Sequence, residues 1–242
     1  MTEVWDLIVI GSGSAGLVAS RTAARFGARV LLIERDRLGG DCLWTGCVPS
    51  KSLIAAAHAA NVARTSERFG ISTGGHTAVD FSRAMGHVHE AVNTIAPHDS
   101  AHSLGELGIE VVEGDARFTG RNILEVDGVR HSFRHALIAT GTTPQLPQLP
   151  GAGSVDILTS DTMWELQKLP GRLVVLGGGA IGSELGQAMA RLGSEVTIVN
   201  RRDRILPHED ERSSALLQAS LDRDGVTVLH GREATEVVST DG

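Results

Sequence analysis

The sequence predicts an α/β chain in which one strand–helix–strand unit occurs twice. Two glycine-rich turns carry the prediction. Gly11-Ser12-Gly13-Ser14-Ala15-Gly16 follows an apolar, β-branched run at residues 5–10, and Gly177-Gly178-Gly179-Ala180-Ile181-Gly182 follows another at residues 173–176. Each turn leads into residues in helical register, closed by Gly27 and by Gly193. The spacing is constant, 166 residues from Gly11 to Gly177.

In the first unit, residues 5–10 read as a strand, 17–26 as a helix and 30–33 as a second strand ended by Glu34. A GxGxxG turn between strand and helix is a dinucleotide fingerprint. The first glycine permits the tight turn, and the second lets the backbone approach a pyrophosphate. The third lets helix and strand pack closely, and the helix N-terminus meets the phosphate charge. Gly11, Gly13, Ser14 and Gly16 are the expected contacts. Glu34 lies 18 residues past Gly16, where an acid accepts from a ribose hydroxyl. The competing reading is a tight strand–helix turn with no ligand.

Cys42 and Cys47 are the only cysteines in 242 residues. They lie in the run Gly39-Gly40-Asp41-Cys42-Leu43-Trp44-Thr45-Gly46-Cys47-Val48-Pro49-Ser50-Lys51. Two thiols are too few for a structural zinc site, which usually takes four ligands. His58, His76, His87 and His89 show no ligand-like pairing around them, and His87-x-His89-Glu90 lacks the metalloprotease spacing. No metal site is expected.

In a regular helix, positions five apart lie roughly 8–9 Å apart at the Cα, beyond the ~7 Å limit for a disulfide. A bridge therefore demands a non-helical stretch between the cysteines. Gly46 supplies backbone freedom, and Pro49 suits the first turn of a helix running through residues 52–57. A thiol at that N-terminus has its thiolate favoured. The pair reads as a reducible bridge at the mouth of a helix, with two buried structural thiols as the alternative.

Residues 52–69 read as one long helix and 70–75 as a turn. Asp80 caps a helix at 81–95, which Pro97 ends or kinks. Residues 109–118 and 123–126 read as strands, with turns at Gly120-Arg121-Asn122 and Asp127-Gly128. Pro144, Pro147 and Pro150 mark an extended linker. Asp161 and a helix at 162–169 bridge to the second unit.

There, 173–176 reads as a strand, 183–192 as a helix and 195–199 as a strand, with Gly177, Gly179, Ile181 and Gly182 as the nucleotide loop. The position of Glu34 is taken by Asn200, followed by Arg201 and Arg202, with Arg204 close by. A carboxylate repels a 2′-phosphate, whereas guanidinium groups pair with it bidentately. The second site therefore reads as preferring NADPH to NADH through Asn200, Arg201 and Arg202. The alternative is a solvated arginine run. Two nucleotide sites in one chain suggest two cofactors between which electrons pass.

Composition excludes some classes. Lys plus Arg is 22 against 29 Asp plus Glu, a net charge of −7, which argues against nucleic-acid binding. The length fits one to two domains. No apolar run is long enough for a membrane span, and the N-terminus enters a strand with no signal peptide. A cytoplasmic setting is expected, where a cysteine pair is more often catalytic than structural.

The cysteine run resembles the redox-active segment of class I pyridine nucleotide-disulfide oxidoreductases, the family of dihydrolipoamide dehydrogenase, glutathione reductase and mercuric reductase. Glu113-Gly114-Asp115-Ala116-Arg117-Phe118 resembles the family's Gly-x-Ala segment beside the flavin nucleotide. Leu137-Ile138-Ala139-Thr140-Gly141 resembles its Ala-Thr-Gly segment, and Gly179-Ala180-Ile181-Gly182-Ser183-Glu184 the start of its pyridine nucleotide domain. The resemblance covers essentially the whole chain.

It implies two Rossmann-like dinucleotide-binding domains, an FAD-binding one over 1–150 and an NAD(P)-binding one over 151–242. Glu34 would hold the adenosine ribose of FAD, with Gly40, Asp41, Gly114, Ala116, Thr140 and Gly141 as further contacts. Cys47 would be the charge-transfer thiolate against the flavin. Cys42 would be the interchange thiol that attacks a substrate disulfide or binds a metal ion. Lys51 would lie near the flavin N5, paired with Glu184. The family's aromatic gate beside the nicotinamide falls here on Ala180. Electrons would pass from NADPH through FAD to the Cys42–Cys47 disulfide and then to substrate. Mercuric ion, dihydrolipoamide and a glutathione-like disulfide are the candidate substrates, and Asn200 with the arginines tilts away from dihydrolipoamide.

The chain departs from the family pattern at its end. Gly242 falls inside the expected NAD(P) domain, so that domain is expected to be incomplete. The second FAD segment and the C-terminal dimerisation domain, with its His–Glu acid–base pair, are expected to be absent. The full-length form is expected to be a homodimer, and a truncated nucleotide-binding fragment without complete catalysis is the alternative.

Overall fold

The computed structural model describes residues 4–72 and 78–238. His76 and residues 73–75 of the turn expected at 70–75 lie outside them. The chain separates into two compact units, Met1–Pro49 with His89–Thr143, and Ser50–Val88 with Pro144–Gly242.

The first unit holds strands β1 (Val4–Ile10), β2 (Val30–Glu34), β3 (Ile109–Glu113), β4 (Ala116–Gly120), β5 (Ile123–Val126) and β6 (Val129–Ile138). They form one sheet in the order β3-β2-β1-β6-β5-β4. The β3-β2-β1-β6 portion is parallel, and β6, β5 and β4 form an antiparallel meander. A parallel sheet is covered on both faces, so its strands read as continuous apolar runs. Val30, Leu31, Leu32 and Ile33 are accordingly all buried. Strand alternation sends Ile8, Leu31 and Ile33 to one face with Trp5, Leu124, Val126 and Phe133. It sends Val9, Val30 and Leu32 to the other with Leu17, Leu104 and Ile109. Leu17 comes from helix α1 (Ser14–Arg25), which begins three residues earlier than the sequence suggests.

The strand expected over 109–118 is two strands, β3 and β4. Gly114 breaks it with φ +149, and its N–H donates to the Glu34 carbonyl at 2.8 Å. A Cβ there would lie 2.5 Å from Val126 Cγ1 and 2.7 Å from Asp127 Oδ2. Asp127 and Gly128, both at positive φ, make the two-residue turn that joins β5 to β6.

Helix α2 (Gly40–Trp44) precedes α3 (Cys47–Thr65), and α4 (Phe81–Ile95) follows. The division between the units falls within α3 and within α4. The helix expected at 52–69 ends at Thr65 and tightens into a 3-10 turn at Ser66–Phe69, stopped by Gly70 at φ +75. Asp80 Oδ1 caps α4 by accepting from the Arg83 N–H at 3.1 Å and the Ser82 hydroxyl at 2.8 Å. A short helix α5 (Ala101–Glu106) lies between α4 and β3.

The second unit contains β7 (Arg172–Leu176), α6 (Ala180–Leu192), β8 (Glu195–Asn200), α7 (Glu211–Arg223) and β9 (Thr227–His230). Its strands form a parallel sheet, β7-β8-β9, in the same arrangement as β1-β2-β3. The core joins Met189, Ile198, Ile205 and Leu221 to Leu53 and Ala57 of α3 and to Phe81, Met85 and Val88 of α4. The helix expected at 162–169 is only a 3-10 turn, Met163–Glu165. One turn already buries Met163 and Trp164, the Trp164 indole donates back to the Ser160 carbonyl at 2.6 Å, and Leu166 is extended. The architecture is α/β with two Rossmann-like units. Among the described residues no helix is long and apolar enough to cross a membrane.

Candidate active site

The two glycine turns are built alike. Gly11 and Gly177 take φ +100 and +108, a backbone that favours glycine. Their N–H groups donate to Ile33 and Val199 carbonyls at 2.8 and 2.9 Å. The third glycines, Gly16 and Gly182, sit against the carbonyls of Gly11 and Gly177, where a Cβ would overlap. Gly13 and Gly179 are the N-caps of α1 and α6, and nothing lies within 4 Å of a Cβ built on either. Neither helix has a side-chain cap, whereas Ser100 and Asp210 cap α5 and α7. First-turn N–H groups require acceptors, and open space beside uncapped donors fits a pyrophosphate at both loops. Ser14 and Ile181 stand exposed in those first turns.

The corner after each second strand differs in charge. Glu34 Oε2 accepts from the Ser12 N–H at 2.8 Å and the Ser12 hydroxyl at 2.7 Å. Its Oε1 accepts from the N–H groups of Arg35 and Asp36 at 2.8 and 3.0 Å. Burial raises the Glu34 pKa, but the hydrogen bonds from Ser12, Asp36 and Arg35 outweigh it and hold the carboxyl below its ordinary value. At the matching corner Asn200 is 4% exposed. Its Oδ1 accepts from the Gly178 N–H at 3.4 Å, and its Nδ2 donates to the carbonyls of Arg202 and Arg204 at 3.2 and 2.9 Å. Arg201 and Arg202 are exposed. The Arg204 guanidinium instead donates to the carbonyls of Pro207 and Glu209, which closes its own loop.

Cys42 lies in α2 and is half-buried, while Cys47 is exposed and opens α3. Both carry thiols rather than a disulfide. Thr45 and Gly46 break the helix between them, and both N–H groups donate to the Asp41 carbonyl, at 2.9 and 2.5 Å. This segment is tied to the first glycine turn. The Gly39 N–H donates to the Ser12 carbonyl at 3.2 Å, and a Cβ on Gly40 would lie 2.5 Å from Gly13 Cα. Asp41 is exposed. Trp44 is fixed by its indole N–H on the Leu38 carbonyl at 2.7 Å and by Arg37 over its ring at 4.6 Å.

Lys51 stands one turn after Cys47 on α3, and its Nζ donates to Glu184 Oε1 at 2.5 Å. The pair is exposed, at 61% and 43%. Exposed pairs of this kind contribute about 0–1 kcal/mol to stability. Thr140 lies against Gly11, whose Cβ would come 3.2 Å from Thr140 Cα. Exposed Gly141 follows, at φ +67. Gly114 binds the Glu34 carbonyl, and Ala116 packs against the core cluster that contains Trp5 and Phe133. The first unit thus gathers Gly11, Gly13, Gly16, Glu34, Gly40 and Thr140. The second gathers the Lys51–Glu184 pair, and also the Gly177 loop with Asn200. Among the described residues no group of three or more His, Cys, Asp or Glu forms a metal-ligand set.

Sequence reasoning missed Ser12, Trp44 and His230. Ser12, fully buried, is the only hydroxyl inside either glycine turn placed to bind Glu34, and its position between two glycines was a usable signal. His230 lies 30 residues from Asn200, its partner across the ladder, and nothing local marks it.

Residues 5–242 match the family model described as pyridine nucleotide-disulphide oxidoreductase. The mercuric reductase of Lysinibacillus sphaericus is 36% identical over 227 residues, covering 94% of this chain and 41% of that protein. A dihydrolipoyl dehydrogenase of Bacillus subtilis (strain 168) is 38% identical over 228 residues, covering 92% and 49%. The solved structure of the HOCl-induced flavoprotein disulfide reductase RclA from Escherichia coli superimposes with a TM-score of 0.80 at 30% identity, over 96% of this chain and 50% of that one. The chain spans about half or less of the length of these relatives. It belongs to the pyridine nucleotide-disulphide oxidoreductase family.

Proposed function

We propose that this chain carries the electron relay of a flavin-dependent, NADPH-linked reductase whose substrate is a small-molecule disulfide or a metal ion. The observation that carries the reading is the placement of Cys42 and Cys47. They sit on two helices separated by a two-residue break, on a segment tied through Gly39 to the first glycine turn.

In this reading Gly11, Gly13, Gly16 and Glu34 hold FAD, with Gly40, Asp41, Gly114, Ala116, Thr140 and Gly141 around it. The Gly177 loop, Arg201 and Arg202 hold NADPH. FAD, when bound, supplies a two-electron carrier between reduced nicotinamide and the cysteine pair. Lys51, oriented by Glu184, supplies a fixed positive charge one turn from Cys47. Two electrons and two protons convert the Cys42–Cys47 disulfide to two thiols. The Cys42 thiolate then attacks a substrate disulfide and expels one thiol. Cys47 attacks the Cys42 sulfur, expels the second and restores the bridge. The balance is NADPH, a proton and one disulfide in, NADP⁺ and two thiols out. The full-length protein acts as a homodimer in this reading, in a reducing compartment.

Thiol counting tests it. The oxidised chain, loaded with FAD and given NADPH anaerobically, gains reactive thiols at Cys42 and Cys47. Thiols that do not appear overturn the reading.

A further inference from the structure

The His230 imidazole faces two amides. Its Nδ1 lies 3.4 Å from Asn200 Nδ2, and its Nε2 lies 3.1 Å from Gln218 Oε1. Asn200 Nδ2 has no lone pair to offer, and its two hydrogens already serve the carbonyls of Arg202 and Arg204, so Nδ1 shares one of them as a longer, three-centre contact. The network therefore assigns the tautomer in which Nδ1 accepts and Nε2–H donates to Gln218. Gln218 is held in turn by donating from its own Nε2 to Asp222 Oδ1 at 2.8 Å.

The backbone of the same corner is joined. The Arg202 carbonyl accepts from Gly231 N–H at 3.0 Å as well as from Asn200, and the Asn200 carbonyl accepts from Arg232 N–H at 3.2 Å. A flipped Asn200 amide would point Oδ1 at the carbonyls of Arg202 and Arg204 and at the His230 lone pair, three acceptors together. His230 thus adds a side-chain acceptor to the two carbonyls that orient the Asn200 amide, at the corner from which the exposed Arg201 and Arg202 project.

We infer that His230 is a positioning residue for recognition of the nucleotide 2′-phosphate, acting through Asn200 on the arginine loop. In this inference Asn200, 4% exposed, acts by organising that loop. The inference rests on the NADPH reading of the second site.

The test compares dissociation constants for 2′,5′-ADP and 5′-AMP on the 242-residue chain by titration calorimetry. The wild-type chain favours 2′,5′-ADP. His230→Leu lowers that preference about tenfold, with 5′-AMP binding little changed. His230→Asn, whose Oδ1 replaces the Nδ1 acceptor, restores it. A general loss of structure would weaken both ligands alike and move no ratio. Should His230→Leu not fold, His230→Asn keeps the preference and His230→Gln, which retains only the far contact, loses it. A wild-type preference that survives both Leu and Gln substitution overturns the positioning role alone. No wild-type preference overturns the NADPH reading and this inference with it.

Discussion

Glu34 and Asn200 stand at the same corner of two successive strand–helix–strand units, and each accepts from the backbone N–H of the residue 22 positions before it, Ser12 and Gly178. The scaffold is duplicated and the charge is not. One corner presents a carboxylate, and the other a buried amide followed in the chain by the exposed Arg201 and Arg202. That difference is the physical basis of the proposal that the two corners take different nucleotides.

The carboxylate corner has a pH signature. Glu34 is held below its ordinary value, so its stabilising contribution is present above the ordinary glutamate value of about 4.3 and is lost as pH falls through the folded value. Glu34→Gln keeps the size but puts an amide N–H₂ against N–H donors. After allowance for solvent screening, it costs about 1 kcal/mol at neutral pH. Urea midpoints of the two proteins should differ at pH 7 and converge on acidification. A difference that persists unchanged at acid pH would contradict the assignment.

The glycines of each turn separate stability from binding. Gly16→Ala or Gly182→Ala drives a methyl onto the carbonyl of Gly11 or Gly177 and costs about 1–3 kcal/mol. Gly13→Ala meets open space and an ordinary φ of −70, so it stays within about 0.5 kcal/mol. It should nevertheless weaken FAD binding about tenfold. Thermal melts with flavin-binding isotherms check both, and a Gly13→Ala chain that binds FAD normally would remove the pyrophosphate from that spot.

The Lys51–Glu184 pair should matter to chemistry more than to folding. Lys51→Met or Glu184→Gln shifts stability by less than about 1 kcal/mol. The same substitutions slow NADPH-driven thiol formation at Cys42 and Cys47 by about tenfold or more, roughly 1.4 kcal/mol of barrier. Rapid-mixing absorbance against a urea titration separates the two. Unchanged rates would mark the pair as a surface contact.

Much of this was legible in the residues. The repeated glycine turns, Gly27, Gly193 and the acid at Glu34 located both βαβ units, because a tight turn into a helix leaves few residue choices. Asp80 announced its cap in the same way. Other features were hidden where local pattern and tertiary demand diverge. Apolar alternation runs through Gly114, whose positive φ and tertiary contacts with Glu34, Val126 and Asp127 split β3 from β4. Residues 162–169 have helical spacing, but burial of Met163 and Trp164 is complete within one turn. The Asn200–His230 contact joins positions 30 apart through strand pairing, so neither residue signals the other.

The most direct test of the relay is an anaerobic absorbance titration of the FAD-loaded chain with NADPH, run beside Cys47→Ser. The account predicts retained flavin, bleaching on reduction, and a long-wavelength thiolate–flavin band in the wild-type chain that is missing in Cys47→Ser. A chain that retains no flavin, or a band that survives the loss of Cys47, would contradict it.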